Sequence, residues 1–287
     1  RQAHHTLDIT NPESLSLAKH ILSEYMQLFS SKYFNLCADE TFDLGKGASR
    51  ALAEAKGTTV IYTEFVTELA NYITESGRTP MFWSDVISKE PEVYHLLPKN
   101  LICLHWDYAS NVSSERLTRL ANSGAEHLYV CPGVQGWNQL INKYHEAYEN
   151  ISRMARYGHE CHAMGLLNTD WGDYGHVNDP RLTIPGVLYG AAFGWNAEPV
   201  EFDELNEAVS RLYYGDATGQ FAGLMAKLQD YEVFDWRNTV NWIECDEKTR
   251  AEILSEVDFT KIDDANRAVE QAKADILAAA ANLPAGK

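Results

Sequence analysis

The sequence has few cysteines, few basic residues and no long apolar run. Its five cysteines are scattered without Cys-x-x-Cys spacing, so we expect no disulfide framework or structural zinc, and reduced thiols favour the cytoplasm. Lys and Arg total 24 against 41 Asp and Glu, which argues against binding to nucleic acid or anionic lipid. No stretch approaches the ~20 apolar residues that cross a bilayer, and the amino end lacks a secretory signal pattern. A soluble enzyme or binding protein is the remaining expectation.

Short apolar runs alternate with segments of helical period over the first two hundred or so residues. This alternation is typical of consecutive βα units that form a parallel sheet. Strands are predicted at about residues 33–38, 80–84, 101–105, 127–131 and 164–168. Helices are predicted over about residues 12–30, over an apolar stripe that Gly77 ends, and over about residues 138–157.

The strand pattern disappears after about residue 202. Helical spacing is found instead near residues 203–214, 217–231 and 262–283. We therefore predict a partial (β/α) barrel domain over residues 1–215 and a helical C-terminal extension over residues 216–287. Five strands are too few to close an eight-stranded barrel, so either the sheet is open or strands are missing.

Chemically capable side chains collect where each predicted strand ends. In parallel α/β barrels the loops at the carboxyl ends of the strands build the active site. Tryptophan faces stack on pyranose rings, and carboxylates accept hydrogen bonds from sugar hydroxyls. The plainer alternatives are that the acids are solvated or cap helices and that each tryptophan belongs to the core. The candidate residues are Asp39, Glu40, Trp83, Asp85, Trp106, Asp107, Tyr108, Trp137, Trp171 and Asp173.

Two other motifs do not reach the pattern of a metal or phosphate site. The run from His159 to His162 differs from His-Glu-x-x-His and has no evident third ligand. The segment Gly45-Lys46-Gly47 is too short for a phosphate loop and lacks its Ser or Thr. We therefore expect neither a metal ion nor another cofactor.

The run from Tyr33 to Glu40 resembles the fourth-strand signature of glycoside hydrolase family 20, in which a β run and two small residues precede Asp-Glu. The helix that begins at Asn11-Pro12 looks like the segment that leads into this signature. Trp171-Gly172-Asp173 resembles the Trp-x-Glu of the eighth strand, with Asp in place of Glu. The resemblance implies strands four to eight of a TIM-type (β/α)8 barrel, with the first three βα units before Arg1.

The resemblance also implies a retaining β-N-acetylhexosaminidase, a family that uses the substrate's own acetamide as nucleophile. Glu40 would protonate the departing oxygen, and Asp39 would accept the acetamide N–H. Strand alternation also argues against Asp39 and Glu40 as a conventional acid and nucleophile. Neighbouring strand residues face opposite sides and could not flank one glycosidic bond. The substrate would be a glycoside of an N-acetylated amino sugar, and the missing part of the barrel a partner.

The sugar pocket is assigned by the same resemblance. Trp83, Trp106 and Trp171 would wall the sugar and its acetamide, while Asp173 would accept a hydrogen bond from O4 or O6. Asp85, Tyr108 and Trp137 are second choices. Many members have a tyrosine after strand seven that donates to the acetamide carbonyl, but here residues 131–133 read Cys-Pro-Gly, so Tyr108 is the substitute candidate.

Two alternatives remain open from the residues alone. The chain could be a non-catalytic carbohydrate-binding protein or an inactive fragment of such an enzyme. It could also be a conventional two-carboxylate glycosidase with Asp85, Asp107 or Asp173 as nucleophile.

Overall fold

A computed structural model describes residues 5–196 and 198–284 of the chain. The chain divides into two compact units. Unit 1 comprises Arg1–Trp106, Ser113–Cys131 and Tyr157–Leu167. Unit 2 comprises Asp107–Val112, Pro132–Arg156 and Asn168–Lys287. Residues on both sides of the boundary predicted at 215 and 216 lie in unit 2, and that boundary stays a prediction.

Unit 1 contains a parallel sheet of five strands among the residues described. The strands are β1 (Tyr33–Asn35), β2 (Thr79–Trp83), β3 (Ile102–Trp106), β4 (Leu128–Cys131) and β5 (Gly165–Leu166). Their order in the sheet is their order along the chain. A doubly wound sheet would reverse direction at a switch point, whereas a barrel wall keeps chain order. The prediction of an α/β, TIM-type fold is therefore confirmed.

The two helices that the sequence predicts in unit 1 lie close to their predicted positions. In α1 (Pro12–Leu28) the Asn11 side chain accepts the Glu13 N–H at 3.0 Å, which caps the helix next to its first-turn proline. After α2 (Arg50–Lys56), α3 (Thr58–Glu75) buries its apolar stripe against α1 and β2. Gly77 has a φ of +82°, and the chain turns there out of the helix.

The core of unit 1 lies around the middle strands. Phe82 and Leu104 are fully buried, and α4 (Glu115–Asn122) adds Leu117 and Leu120 to the same core. Burial of large apolar side chains is worth about 1.5–3 kcal/mol for each of them. This packing fixes the strand ends from which the candidate site residues extend.

Unit 2 is mainly helical. Helix α5 (Tyr144–Glu160) contributes residues to both units, and the remaining helices belong to unit 2. They are α6 (Ile184–Trp195), α7 (Phe202–Val209), α8 (Phe221–Ala226), α9 (Trp236–Glu244), α10 (Glu247–Ser255) and α11 (Ile262–Ala280). None of the helices in the described part of the chain combines the length and the hydropathy that crossing a membrane requires.

Two predicted helices differ from the structure. The helix predicted from residue 138 begins at Tyr144, because Asn138 has a φ of +64° and the Gln135 carbonyl accepts the Lys143 N–H at 3.1 Å in a turn. The helix predicted over 217–231 is shortened to α8 and a 3-10 segment, Lys227–Tyr231. In both cases the spacing of apolar residues continues through a turn, so the predicted helix is longer than the observed one.

Unit 2 buries a carboxyl group beside an apolar cavity of about 220 Å³. The Glu232 side chain is 12% exposed, its Oε1 has no hydrogen-bond partner in the described structure, and its Oε2 lies 3.8 Å from Lys143 Nζ. Burial raises the pKa of Glu232 to about 7, although the charge of Lys143 opposes the shift. The folded protein thus keeps a proton that the unfolded chain loses near its ordinary value of 4.5.

This shift predicts a stability that falls as pH rises from about 4.5 to 7, since the folded state binds more protons than the unfolded state over that window. Glu232→Gln should remove this part of the slope and make the protein more stable than wild type at pH 8, by about 3 kcal/mol. Urea unfolding at several pH values measures it. Glu204→Gln, on the exposed face of α7, is the matched control. An unchanged slope in Glu232→Gln would contradict the prediction.

Candidate active site

Strand β1 is shorter than the strand predicted over residues 33–38, so Asp39 and Glu40 follow a turn rather than the end of a strand. Strand β1 ends at Asn35, whose side-chain oxygen accepts the Cys37 N–H at 2.9 Å. Such a local bond turns the backbone away from the sheet ladder. The argument from strand alternation was therefore wrong in its premise, since neither acid occupies a strand position.

The turn after β1 has an unusual backbone. Cys37, Ala38 and Glu40 have φ values of +64°, +68° and +51°. Left-handed conformations of residues other than glycine cost about 1–2 kcal/mol each, and such strain collects at functional sites. The neighbouring structure must hold this turn in place.

Hydrogen bonds to Trp83, Tyr62 and Asp85 are among those that hold the turn. The Trp83 N–H donates to the Cys37 carbonyl at 3.0 Å, and the Tyr62 hydroxyl donates to the Ala38 carbonyl at 3.0 Å. The Glu40 N–H donates to Asp85 Oδ2, also at 3.0 Å. The pairing of β1 with β2 brings Trp83 and Asp85 beside the turn.

Burial governs the ionisation of both side chains that hold the turn. Burial raises the pKa of Tyr62 well above its ordinary value, and the charges of Asp85 and Asp39 add to the effect, so the phenol remains a donor. Burial also raises the pKa of Asp85. The hydrogen bond from Glu40 opposes that shift, and the charge of Asp39 reinforces it.

The predicted residues of unit 1 differ in their access to solvent. Glu40 is exposed and Asp39 is half-buried. Trp83, at the end of β2, is only 7% exposed, whereas Trp106, at the end of β3, is half-buried. Trp83 therefore presents little surface to a ligand in this structure. The sugar contacts of Trp83, Trp106 and Asp85 stay predictions.

Unit 2 brings three of the predicted aromatic residues together. The Tyr108 and Trp137 rings meet edge to face with centroids 4.9 Å apart. The Trp171 indole N–H donates to the Tyr108 hydroxyl oxygen at 2.7 Å. All three side chains are half-buried, so they form a partly open aromatic cluster.

Gly133 allows this aromatic cluster to close. A Cβ at that position would lie 2.5 Å from Trp137 Cη2 and 3.0 Å from Tyr108 Cδ1. Gln135, with a φ of +56°, donates from its side chain to the Tyr108 carbonyl at 2.6 Å. The Pro132–Trp137 segment thus supplies both the space and the backbone support for Tyr108.

Asp173 extends from a tight turn just after Trp171. The turn Asp173–Gly175 is a 3-10 segment with a left-handed Tyr174, and the Asp173 side chain is exposed. The His176 ring lies within hydrogen-bond distance of the Trp171 carbonyl, with Nδ1 3.1 Å from the oxygen. The structure places Asp173 near Trp171 in the chain, but its bond to a sugar hydroxyl stays a prediction.

Comparison with known proteins identifies the family. The family model described as "Glycosyl hydrolase family 20, catalytic domain" matches residues 1–164, more than half of the chain. The chain belongs to glycosyl hydrolase family 20. The matched residues of this family 20 chain include the turn with Asp39 and Glu40, whereas Trp171 and Asp173 lie beyond them.

Similar proteins agree with this membership. A lacto-N-biosidase of Bifidobacterium bifidum is 28% identical over 109 residues, which cover 35% of this chain and 10% of that protein. The solved β-N-acetylhexosaminidase of Bacteroides fragilis NCTC 9343 has a TM-score of 0.54 and 22% identity over 71% of this chain and 45% of its own. A Vibrio harveyi GH20 exo-β-N-acetylglucosaminidase, solved in complex with N-acetylglucosamine, has a TM-score of 0.51 and 18% identity over 77% of this chain and 36% of its own.

These two structural likenesses show the fold. The family 20 chain spans less than half the length of either solved relative and a tenth of the lacto-N-biosidase.

Sequence reasoning on this family 20 chain missed Tyr62 and Gly133. Tyr62 stands four residues before Val66 and seven before Leu69, inside the apolar stripe of α3. A tyrosine in such a stripe needs a partner for its hydroxyl, and this need was the available signal. Gly133 gave no comparable signal, because it is required for space rather than for a left-handed backbone.

The bond between Trp171 and Tyr108 can be tested by a double-mutant cycle in the family 20 chain. Trp171→Phe and Tyr108→Phe each remove one partner and should each destabilise the protein by about 1 kcal/mol. The double variant should lose less than the sum, with a coupling of about 0.5–1.5 kcal/mol. Urea unfolding measures the four free energies. Trp195→Phe is the control, because Trp195 is 93% exposed. Its effect on the free energy of unfolding should add to that of Tyr108→Phe without coupling. Zero coupling between Trp171→Phe and Tyr108→Phe would contradict the bond.

Proposed function

We propose that the full-length protein removes terminal β-linked N-acetylglucosamine or N-acetylgalactosamine from glycosides with retention of anomeric configuration. The observation that carries the proposal is the turn at the end of β1, where Asp39 and Glu40 stand next to each other inside the family 20 match. The relatives named above, a β-N-acetylhexosaminidase and an exo-β-N-acetylglucosaminidase, support the choice of substrate.

Glu40 is the proposed general acid. Its exposed carboxyl can meet the glycosidic oxygen of an arriving substrate and protonate it as the bond to the anomeric carbon breaks. The acetamide carbonyl oxygen of the substrate then attacks that carbon from the opposite side and forms an oxazolinium ion. Water, deprotonated by Glu40, opens this intermediate and restores the original configuration.

Asp39 is the proposed partner of the acetamide. Its carboxylate accepts the acetamide N–H, which holds the carbonyl oxygen towards the anomeric carbon, and it stabilises the positive charge that develops. Being half-buried, Asp39 is less screened by water than Glu40, so the same charge acts more strongly. Neighbouring acids with different exposure thus suit the two roles.

We assign sugar contacts to aromatic residues and one further acid. Trp106 and Trp171 offer half-buried faces for stacking on a ring, and exposed Asp173 can accept a hydroxyl proton. Tyr108 is the proposed donor to the acetamide carbonyl, since a phenol can accept from Trp171 and still donate. Trp83, Trp137 and Asp85 are weaker proposals, because Trp83 is buried and Asp85 already accepts from Glu40.

Hydrolysis of paired substrates tests the proposed function. The full-length protein should cleave 4-nitrophenyl N-acetyl-β-glucosaminide and should not cleave the matching β-glucoside, which lacks the acetamide nucleophile. Release of nitrophenol measures both rates. Equal cleavage of the two would support a two-carboxylate glycosidase, and binding of N-acetylglucosamine without turnover would support a carbohydrate-binding protein; either result overturns the proposal.

Variants of the two acids test the assigned roles. Glu40→Gln should lower kcat on a poor leaving group by about 10²–10⁴, because general acid catalysis is lost. Asp39→Asn should lower turnover of the N-acetylated substrate, because the acetamide is no longer oriented. Glu54→Gln, at an exposed position of α2, should match wild type. Near-normal rates for either active-site variant would contradict its assignment.

A further inference from the structure

Asp85 is attached to the proposed acid through the backbone. Its Oδ2 accepts the Glu40 N–H at 3.0 Å, although the two residues are 45 positions apart in the sequence. Its other oxygen, Oδ1, is buried and has no hydrogen-bond partner in the described part of the chain. The carboxyl group therefore contacts the turn through one oxygen and buries the other, while the residue as a whole is half-buried.

Asp85 holds Glu40, the proposed general acid, whose side chain must point at the glycosidic oxygen. Glu40 has a φ of +51°, a conformation that a glutamate rarely adopts without support. In the left-handed region the Cα–Cβ bond points in a different direction from that of a strand residue, so the backbone conformation of Glu40 determines where its carboxyl lies. A bond to the N–H of Glu40 holds the peptide plane from which this φ is measured.

Asp85 has the chemistry to supply that support. A hydrogen bond from a backbone N–H to a carboxylate is shorter and stronger than one to a neutral acceptor. Asp85 follows β2 by two residues, and the pairing of β1 with β2 places the end of β2 beside the turn. The side chain therefore reaches Glu40 from the turn that directly follows β2, and the ladder of β2 with β1 brings that turn beside Glu40.

We propose that Asp85 is a positioning residue for the general acid: its carboxylate fixes the left-handed backbone of Glu40 and thereby aims the Glu40 side chain at the glycosidic oxygen. This role rests on the proposed function. It is an alternative to the weaker proposal of a sugar contact and to the nucleophile that sequence reasoning considered, because in this role Asp85 acts through Glu40 and touches neither substrate nor reacting atoms. Misplacement of a reacting group by about 1 Å can lower a rate by about 10²-fold.

Leaving-group dependence gives a readout that a merely structural role would not change. A phenyl glycoside has a poor leaving group, so its glycosidic oxygen must be protonated as the bond breaks. A 2,4-dinitrophenyl glycoside has a good leaving group and needs little protonation. Asp85→Ala should lower kcat on phenyl N-acetyl-β-glucosaminide by about 10- to 100-fold and on the dinitrophenyl substrate by less than about threefold, with KM changed less than about twofold. An equal fall on both substrates, or no fall, overturns the role.

Two further variants make the test decisive. Asp85→Asn keeps an oxygen that can accept the Glu40 N–H and should retain at least about a third of the activity on both substrates. A loss of about 10²-fold on both would show that the charge itself takes part in chemistry and would overturn the role. Asp85→Ser, whose shorter side chain does not reach Glu40, replaces the alanine variant if that variant does not fold.

The last experiment introduces Asp85→Ala into the Glu40→Gln variant. Because Asp85 acts through Glu40, adding Asp85→Ala to Glu40→Gln should lower the rate no further than about twofold. Multiplicative losses would mean that the two residues act separately and would overturn the role. A wild-type protein that cleaves neither N-acetylglucosaminide overturns the proposed function and this role together, whereas an active wild type with equal losses overturns the role alone.

Discussion

The parallel pairing of β1 with β2 is the constraint on which the candidate site depends. Asn35 pairs with Met81, and two residues further the Trp83 N–H still donates to the Cys37 carbonyl after β1 has left the ladder. A slip of one residue would turn every side chain of the strand to the other face. It would also take Asp85 away from the Glu40 N–H. The register of one short ladder therefore determines whether the acidic turn is held.

The sequence was sufficient to predict the strands and helices, because their apolar residues recur at regular spacing. Apolar runs separated by helical periods predicted the five strands, and the glycine at 77 marked the end of α3. Because parallel strands end at one edge of a sheet, the acids and tryptophans at their ends could be selected as candidates before any coordinates. The Asp-Glu pair after β1 was found in this way, and the family comparison covers it.

Features that depend on a single local bond could not be predicted. The strand signal of residues 33–38 is continuous, yet the side chain of Asn35 bonds the Cys37 N–H and ends β1 early. Competition between a local side-chain bond and a ladder bond is decided by the surrounding packing, which periodicity does not describe. The Tyr62 hydroxyl and the space above Gly133 are of the same kind, since each matters through a partner distant in sequence.

Ala38 shows how the turn combines strain with order. Glycine would adopt the φ of +68° at this position without strain, but it would also let the unbound turn adopt many other conformations. An alanine whose carbonyl is bonded by the Tyr62 hydroxyl narrows that range instead. The turn is therefore already ordered before a ligand binds, so binding loses less conformational entropy. Contacts to Trp83, Tyr62 and Asp85 thus preorganise a backbone shape that the three left-handed residues would not keep by themselves.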